Sequence, residues 1–235
     1  MFEQKNRFES SISSPDKMIW GQLRPHVIIP KTLKHAFSKV SRQMFVPASY
    51  RECCYQDDHI PLSDHSSKSR FLLAPLVLTQ LLVNADLECI THKKILILCG
   101  GMGYSAALLG QMGADCLMIE TNGQLADQAR ENLASYAKVF IETLSFGSLS
   151  DRLEGELFDV IFIDGGAVQS IPSFLLSRLM PKGFLLALQS EKKTDINEFC
   201  LCRGIKIFNS GSASVLFDVW APLNHDFAFP SFFEF

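Results

Sequence analysis

The chain has 235 residues, 47% of them apolar and 20% charged, and carries a net charge of −3. That length suits one large α/β domain, alone or with an extension, and the composition is that of a folded, soluble protein. The slight acidity, with no run of Lys and Arg, argues against a nucleic-acid partner. The longest apolar run, Phe71 to Val83, is shorter than the roughly 20 residues that cross a bilayer and is broken by Pro75, Thr79 and Gln80, which argues against a membrane partner.

Residues 1–16 are polar and Ser-rich, and their acids and lack of an apolar core do not read as a secretory signal. Two helix-like pieces follow between Met18 and Val46; the second begins at Pro30 and sets Leu33, Phe37 and Val40 at helical spacing. From Phe45 to Arg70 the prolines, acids and serines give no period, so the stretch reads as a loop, long enough to be functional. Phe71 to Pro75 reads as an extended approach to a buried helix.

From Ile95 the pattern alternates. The strands are ILILC, DCLMIE, KVFIETL, LFDVIFID and GFLLALQ; the helices between and after them are YSAALLGQM, GQLADQARENLASY, IPSFLLSRL and TDINEFCLC. IKIFNS and SVLFDVW then close the run as a hairpin joined through GSA. This predicts a doubly wound, mostly parallel α/β sheet with an antiparallel end. The division is an N-terminal part, residues 1–90, with helices and a covering loop, and an α/β part, residues 91–235.

The seven cysteines are Cys53, Cys54, Cys89, Cys99, Cys116, Cys200 and Cys202. Neither Cys53-Cys54 nor Cys200-x-Cys202 has the spacing of a zinc site or a redox pair. They read as reduced, mostly buried thiols of a cytoplasmic protein, and no metal site is expected.

The first strand breaks into Cys99-Gly100-Gly101-Met102-Gly103, and a helix begins near Tyr104. A doubly wound sheet binds its ligand at such a turn. The glycines let the backbone come close to a ligand, and the helix start aims free N–H groups at it. Glu120 ends the next strand, about twenty residues on, where an acid can accept hydrogen bonds from ribose hydroxyls. Gly101-x-Gly103-x-x-Ala106 also fits a dinucleotide fingerprint, so a nicotinamide enzyme is an alternative. The terminal hairpin and the ninety or so residues before the first strand oppose it.

From Met18 to Gln189 the order of these features resembles the protein-L-isoaspartate O-methyltransferase family of class I S-adenosylmethionine-dependent methyltransferases. The similar stretches are the helices ending in Phe45-Val46-Pro47, YQDDHIPL, KILILCGGMGYSAALLG, and FDVIFIDGGAVQSIPSFLLSRLMPKGFLLA. The resemblance implies a seven-stranded sheet, S-adenosyl-L-methionine as cofactor, and methyl transfer to isoaspartyl carboxylates of protein or peptide substrates. It implies a cofactor site at Cys99, Gly100, Gly101, Gly103, Tyr104, Glu120, Thr121, Gly147, Ser148 and Asp164, and places the segment before Pro75 over the reacting methyl group.

Four residues depart from the family pattern. Ile97 and Cys99 replace an acid and a glycine, Ser148 stands where an acid would hold the adenine amino group, and Leu73 stands where a serine would orient the substrate carboxylate. Arg70 and Ser69 are the nearest groups able to take over that orientation, and Asp164, ending the fourth parallel strand, is the best polar candidate near the methyl group. A non-catalytic binding protein on the same fold is therefore a second reading. The tail HDFAFPSFFEF holds Phe227, Phe229, Phe232, Phe233 and Phe235. These rings should leave water, either onto the chain's own core or into a homo-oligomer contact.

Overall fold

The computed structural model describes residues 14–62, 70–84, 90–190 and 199–227. Ser14 caps the first helix by accepting from the Lys17 amide, and Pro15 opens it. This α1 (Pro15–Lys17) widens into a π turn, Met18–Leu23, which buries Met18, Ile19 and Leu23. The helix expected after Pro30 is α2 (Lys31–Lys39), with Leu33, Ala36 and Phe37 facing the core.

A 3₁₀ turn, Arg42–Phe45, leads into the predicted loop, which contains a second, Ala48–Tyr50, and a strand, β1 (Ile60–Pro61), antiparallel to β2 (Phe71–Leu72). Two residues per strand are too few for a period of two to show in a sequence. The buried helix expected after the extended approach is α3 (Pro75–Val83), whose Leu76 amide donates to Asp57 Oδ1 at 2.8 Å. Arg42, fully buried, donates to the carbonyls of Cys54 and Leu73, both at 2.6 Å, and so ties the loop to this approach.

The sheet is built from β3 (Lys94–Leu98), α4 (Tyr104–Gln111), β4 (Asp115–Glu120), α5 (Gly123–Asn132), β5 (Val139–Thr143), α6 (Leu149–Arg152), β6 (Phe158–Ile163), α7 (Ser173–Leu176), β7 (Leu179–Ser190), β8 (Phe199–Phe208) and β9 (Ala213–Pro222). Its seven strands run in the order β5-β4-β3-β6-β7-β8-β9; β5 to β7 are parallel, and β8 is antiparallel to both its neighbours. The central strands are mostly apolar because both faces are covered. Ile95 and Ile97 pack in one cluster with Met18, Leu33 and Phe37 of the N-terminal helices, and Leu96 and Leu98 in another with Leu149, Leu153 and Leu175.

Two expected helices differ. IPSFLLSRL is helical only over Ser173–Leu176 before β7 begins at Leu179. Of TDINEFCLC, residues 194–198 lie outside the described residues, and Phe199 to Cys202 belong to β8. There Phe199 and Leu201 are exposed while Cys200 and Cys202 are buried, an alternation that four apolar residues in a row do not reveal. The six described cysteines form no disulfide, and all but Cys53 are buried. The meander has a positional consequence. Because β8 runs down, β9 runs up again, and its end at Pro222 emerges on the same side as the carboxyl ends of β3, β4 and β6.

Candidate functional site

The crevice beside the switch between β3 and β6 is where an open α/β sheet takes its ligand. The turn after β3 is left-handed at Cys99, Gly101 and Gly103. A Cβ on Gly101 would stand at a left-handed φ and would push on Leu62 Cδ1. The Gly101 amide donates to Glu120 Oε2 at 2.8 Å. Cys99 is buried, and burial pushes its thiol up, out of the range of a nucleophile. Tyr104 opens α4, but its ring packs on Phe45 at 5.4 Å and under the Arg42 guanidinium at 5.0 Å. The side chain of this expected cofactor residue is thus spent on holding the N-terminal segment.

Glu120 is fully buried at the end of β4. Its carboxylate accepts from the amides of Gly101, Thr121 and Asn122 at 2.8–3.0 Å, and from Arg70 Nη2 at 2.9 Å. Arg70 is buried as well; it donates to Asn224 Oδ1 at 2.6 Å and Thr121 Oγ1 at 3.1 Å, and pairs with Asp226. The expectation that Arg70 faces a substrate carboxylate is corrected here, because its donors are committed to the chain's own acids. Its stem runs through the space a Cβ on Gly165 would take, and Gly165 has φ +75°.

The third wall comes from the end of the chain. Past Pro222 the backbone pairs with the turn after β6: the Ala167 amide donates to the Pro222 carbonyl at 2.8 Å, and the Asn224 amide to the Ala167 carbonyl at 2.7 Å. Asn224 Nδ2 donates to the Asp164 carbonyl at 2.9 Å. Asp226 accepts from Arg70 and from Thr121 Oγ1, and lies 3.7 Å from Cys99 Sγ. Burial pushes its carboxyl up, but Arg70 and the Thr121 hydroxyl outweigh this and hold it below the usual carboxylate range. Phe227 is buried edge-on against Phe146, with ring centroids 4.8 Å apart, in a slot also walled by Leu98, Ile119 and Leu149. About 10 Å³ is left there, room for one water at most.

Asp164 is buried on the β6 side of the crevice. It accepts from Ser105 Oγ and, at 2.8 Å, from the Gly165 amide. Burial pushes its carboxyl up to about 6, despite those two donors. The structure thus brings Cys99, Gly100, Gly101, Gly103, Glu120, Thr121 and Asp164 around one crevice. Gly147 and Ser148 stand exposed on the turn Phe146–Ser148, with Ser148 Oγ 3.0 Å from Ser145 Oγ; Ser145, Phe146 and Leu149 line the slot in their place. Leu73 is fully buried. Ser69 lies outside the described residues, as do Phe229, Phe232, Phe233 and Phe235. The residues that sequence reasoning missed are Arg42, Phe146, Asn224 and Asp226. Only the apolarity of the tail pointed towards its packing, and Phe227 does pack on the chain's own core.

The sequence model described as Protein-L-isoaspartate(D-aspartate) O-methyltransferase (PCMT) matches residues 13–201. The chain belongs to this family. It is 28% identical over 173 residues to the protein-L-isoaspartate O-methyltransferase of Methanoculleus marisnigri, covering 73% of this chain and 75% of that one. It is 31% identical over 172 residues to protein-L-isoaspartate O-methyltransferase 1 of Syntrophobacter fumaroxidans, covering 73% and 77%. Two solved structures share the fold at 16% identity. One is a protein-L-isoaspartate O-methyltransferase with TM-score 0.67, covering 89% of this chain and 65% of that one. The other is a Plasmodium falciparum protein assigned to the same enzyme, in complex with S-adenosyl-L-homocysteine, with TM-score 0.70, covering 90% and 98%.

The family match ends inside β8, so Arg70, Glu120 and Asp164 lie within the PCMT stretch and Asn224, Asp226 and Phe227 beyond it. The backbone frame suits the cofactor implied by the PCMT resemblance: a glycine turn, a helix start, and a buried acid at a strand end. In this structure the chain's own side chains occupy that frame: Arg70 and Asp226 take up Glu120 and Thr121, and Phe227 fills the slot beyond.

Proposed function

We propose that the protein is an S-adenosylmethionine-dependent O-methyltransferase that acts on isoaspartyl carboxylates of proteins or peptides, as a repair enzyme of the cytoplasm with no nucleic-acid or membrane partner. Family membership supports the reaction class, and the names of the relatives support the substrate. The single observation that carries the cofactor is Glu120, buried at the end of β4 and hydrogen-bonded to the glycine turn by the Gly101 amide. The cofactor supplies an electrophilic methyl group on a sulfonium.

What this chain has to do is limited. A carboxylate is already a nucleophile, so the demands are placement in line and exclusion of water. Glu120 accepts ribose hydroxyls in this reading, and Asp164 lines the crevice on the methyl side. Among the described residues, no helix is long and apolar enough to cross a membrane. The test is release of labelled methyl groups from an isoaspartyl peptide, together with calorimetry of S-adenosylhomocysteine. Absence of binding at millimolar ligand would remove both cofactor and reaction.

A second reading, a non-catalytic binding protein on the same fold, is favoured by one feature. Leu73 offers no hydroxyl to a substrate carboxylate, and a carboxylate held against it would lose hydration without gaining a hydrogen bond. Methyl release in the peptide assay rules this reading out.

A further inference from the structure

We infer that residues 224–227 are a built-in occupant of the cofactor crevice, which an S-adenosyl ligand has to displace in order to bind. This rests on the cofactor reading above. Three features carry it.

The first is topology. The β7-β8-β9 meander returns the chain to the ligand side of the sheet, and pairing with Ala167 steers it across β6 towards β3 and β4. The second is chemistry. A nucleoside offers polar groups to the acid at the strand end and a flat apolar ring to the slot beyond it. The segment offers the Asp226 carboxylate, at Thr121 and at the Arg70 that covers Glu120, and the Phe227 ring, between Phe146 and the ends of β3 and β4. The third is charge. Glu120 and Asp226 are two buried acids that repel each other, and Arg70 donates to both. Two like charges held this way persist only while the cation between them stays, so Arg70 and the segment form one latch.

Residues 224–227 follow the last strand, β9 (Ala213–Pro222), and Leu223, which pairs with Ala167, and they contribute no strand to the sheet. Withdrawal of Phe227 and Asp226 therefore leaves the sheet intact. The apparent affinity for the ligand is the intrinsic affinity scaled by the fraction of molecules with the segment withdrawn. Weakening the latch raises that fraction and tightens binding.

The experiment compares the full-length protein with Phe227→Ala, which empties the slot without touching the ion pairs, by calorimetry with S-adenosylhomocysteine. Amide exchange over residues 223–227 is followed with and without the same ligand. The inference expects Phe227→Ala to bind about tenfold tighter or more, and expects ligand to strip protection from residues 224–227 of the unaltered protein. Because the exchange readout uses the unaltered chain, it stands even where the variant folds poorly. Measurable binding with equal affinities and unchanged protection would overturn the inference and leave the cofactor reading in place. No binding by either protein at millimolar ligand would overturn both.

Discussion

The two halves of the sheet contribute opposite things to one crevice. The half made of β5, β4, β3 and β6 supplies a frame: the left-handed turn, the amides at its end, Glu120 and Asp164. The half made of β7, β8 and β9 supplies none of these, yet its chain end crosses the frame and fills it. The first half lies wholly within the PCMT match, whereas the match stops within β8. A fold can thus keep the backbone of a binding site while a neighbouring segment decides whether the site is open.

The largest expected effect comes from cutting the link between the halves. Arg70→Met leaves Glu120 and Asp226 buried without their cation, and should cost about 3–5 kcal/mol in denaturant unfolding. Adding Asp226→Asn should restore part of that loss; strict additivity of the two changes would show that the halves are not coupled through Arg70.

Asp164 sits at the seam and should make stability depend on pH. Its folded value of about 6 lies above the ordinary carboxyl value, so the folded state holds a proton that the unfolded chain gives up. Stability should therefore fall as pH rises from about 4 to about 6, by up to about 3 kcal/mol, and Asp164→Asn should flatten that slope. Asp226 runs the other way. Its lowered value adds stability above the ordinary carboxyl range, which is lost as the pH drops through the folded value. Unfolding curves of the two variants across pH 3–7 (about the range where carboxyls titrate) separate the contributions.

Within the frame, Gly101→Ala places a side chain at φ +59° and against Leu62, and should lower stability by about 1–3 kcal/mol in the same assay. The smallest effect belongs to the outer surface of that half. The Arg130–Asp127 pair on α5 is exposed, and Asp127→Ala should shift the unfolding midpoint by no more than about 0.5 kcal/mol.

The frame was legible because it is local. DCLMIE, bounded by polar residues, is β4 with the same limits, and its last residue is the buried acid. Strand, glycine turn and helix follow one another within Lys94 to Gln111. The filling was not legible because it is remote. Arg70 reaches Glu120 across 50 positions and Asp226 across 156, and no period or spacing links residues so far apart. The loop before β2 hid the direction of Arg70, since nothing in an aperiodic stretch says which side chain turns inward. The start of β8 reads as helix from sequence because Phe199-Cys200-Leu201-Cys202 is apolar at every position, and only pairing with β7 and β9 sorts it into two faces.

Gly165 gives the latch a purely steric weak point. The Arg70 stem passes where a methyl group on that residue would stand. One added carbon would press on the arginine stem and on the Cys99 carbonyl, at a left-handed φ, and so would disturb the latch without altering any charge. The opening of an ionic lock is thereby placed under the control of a residue that has no side chain to ionise.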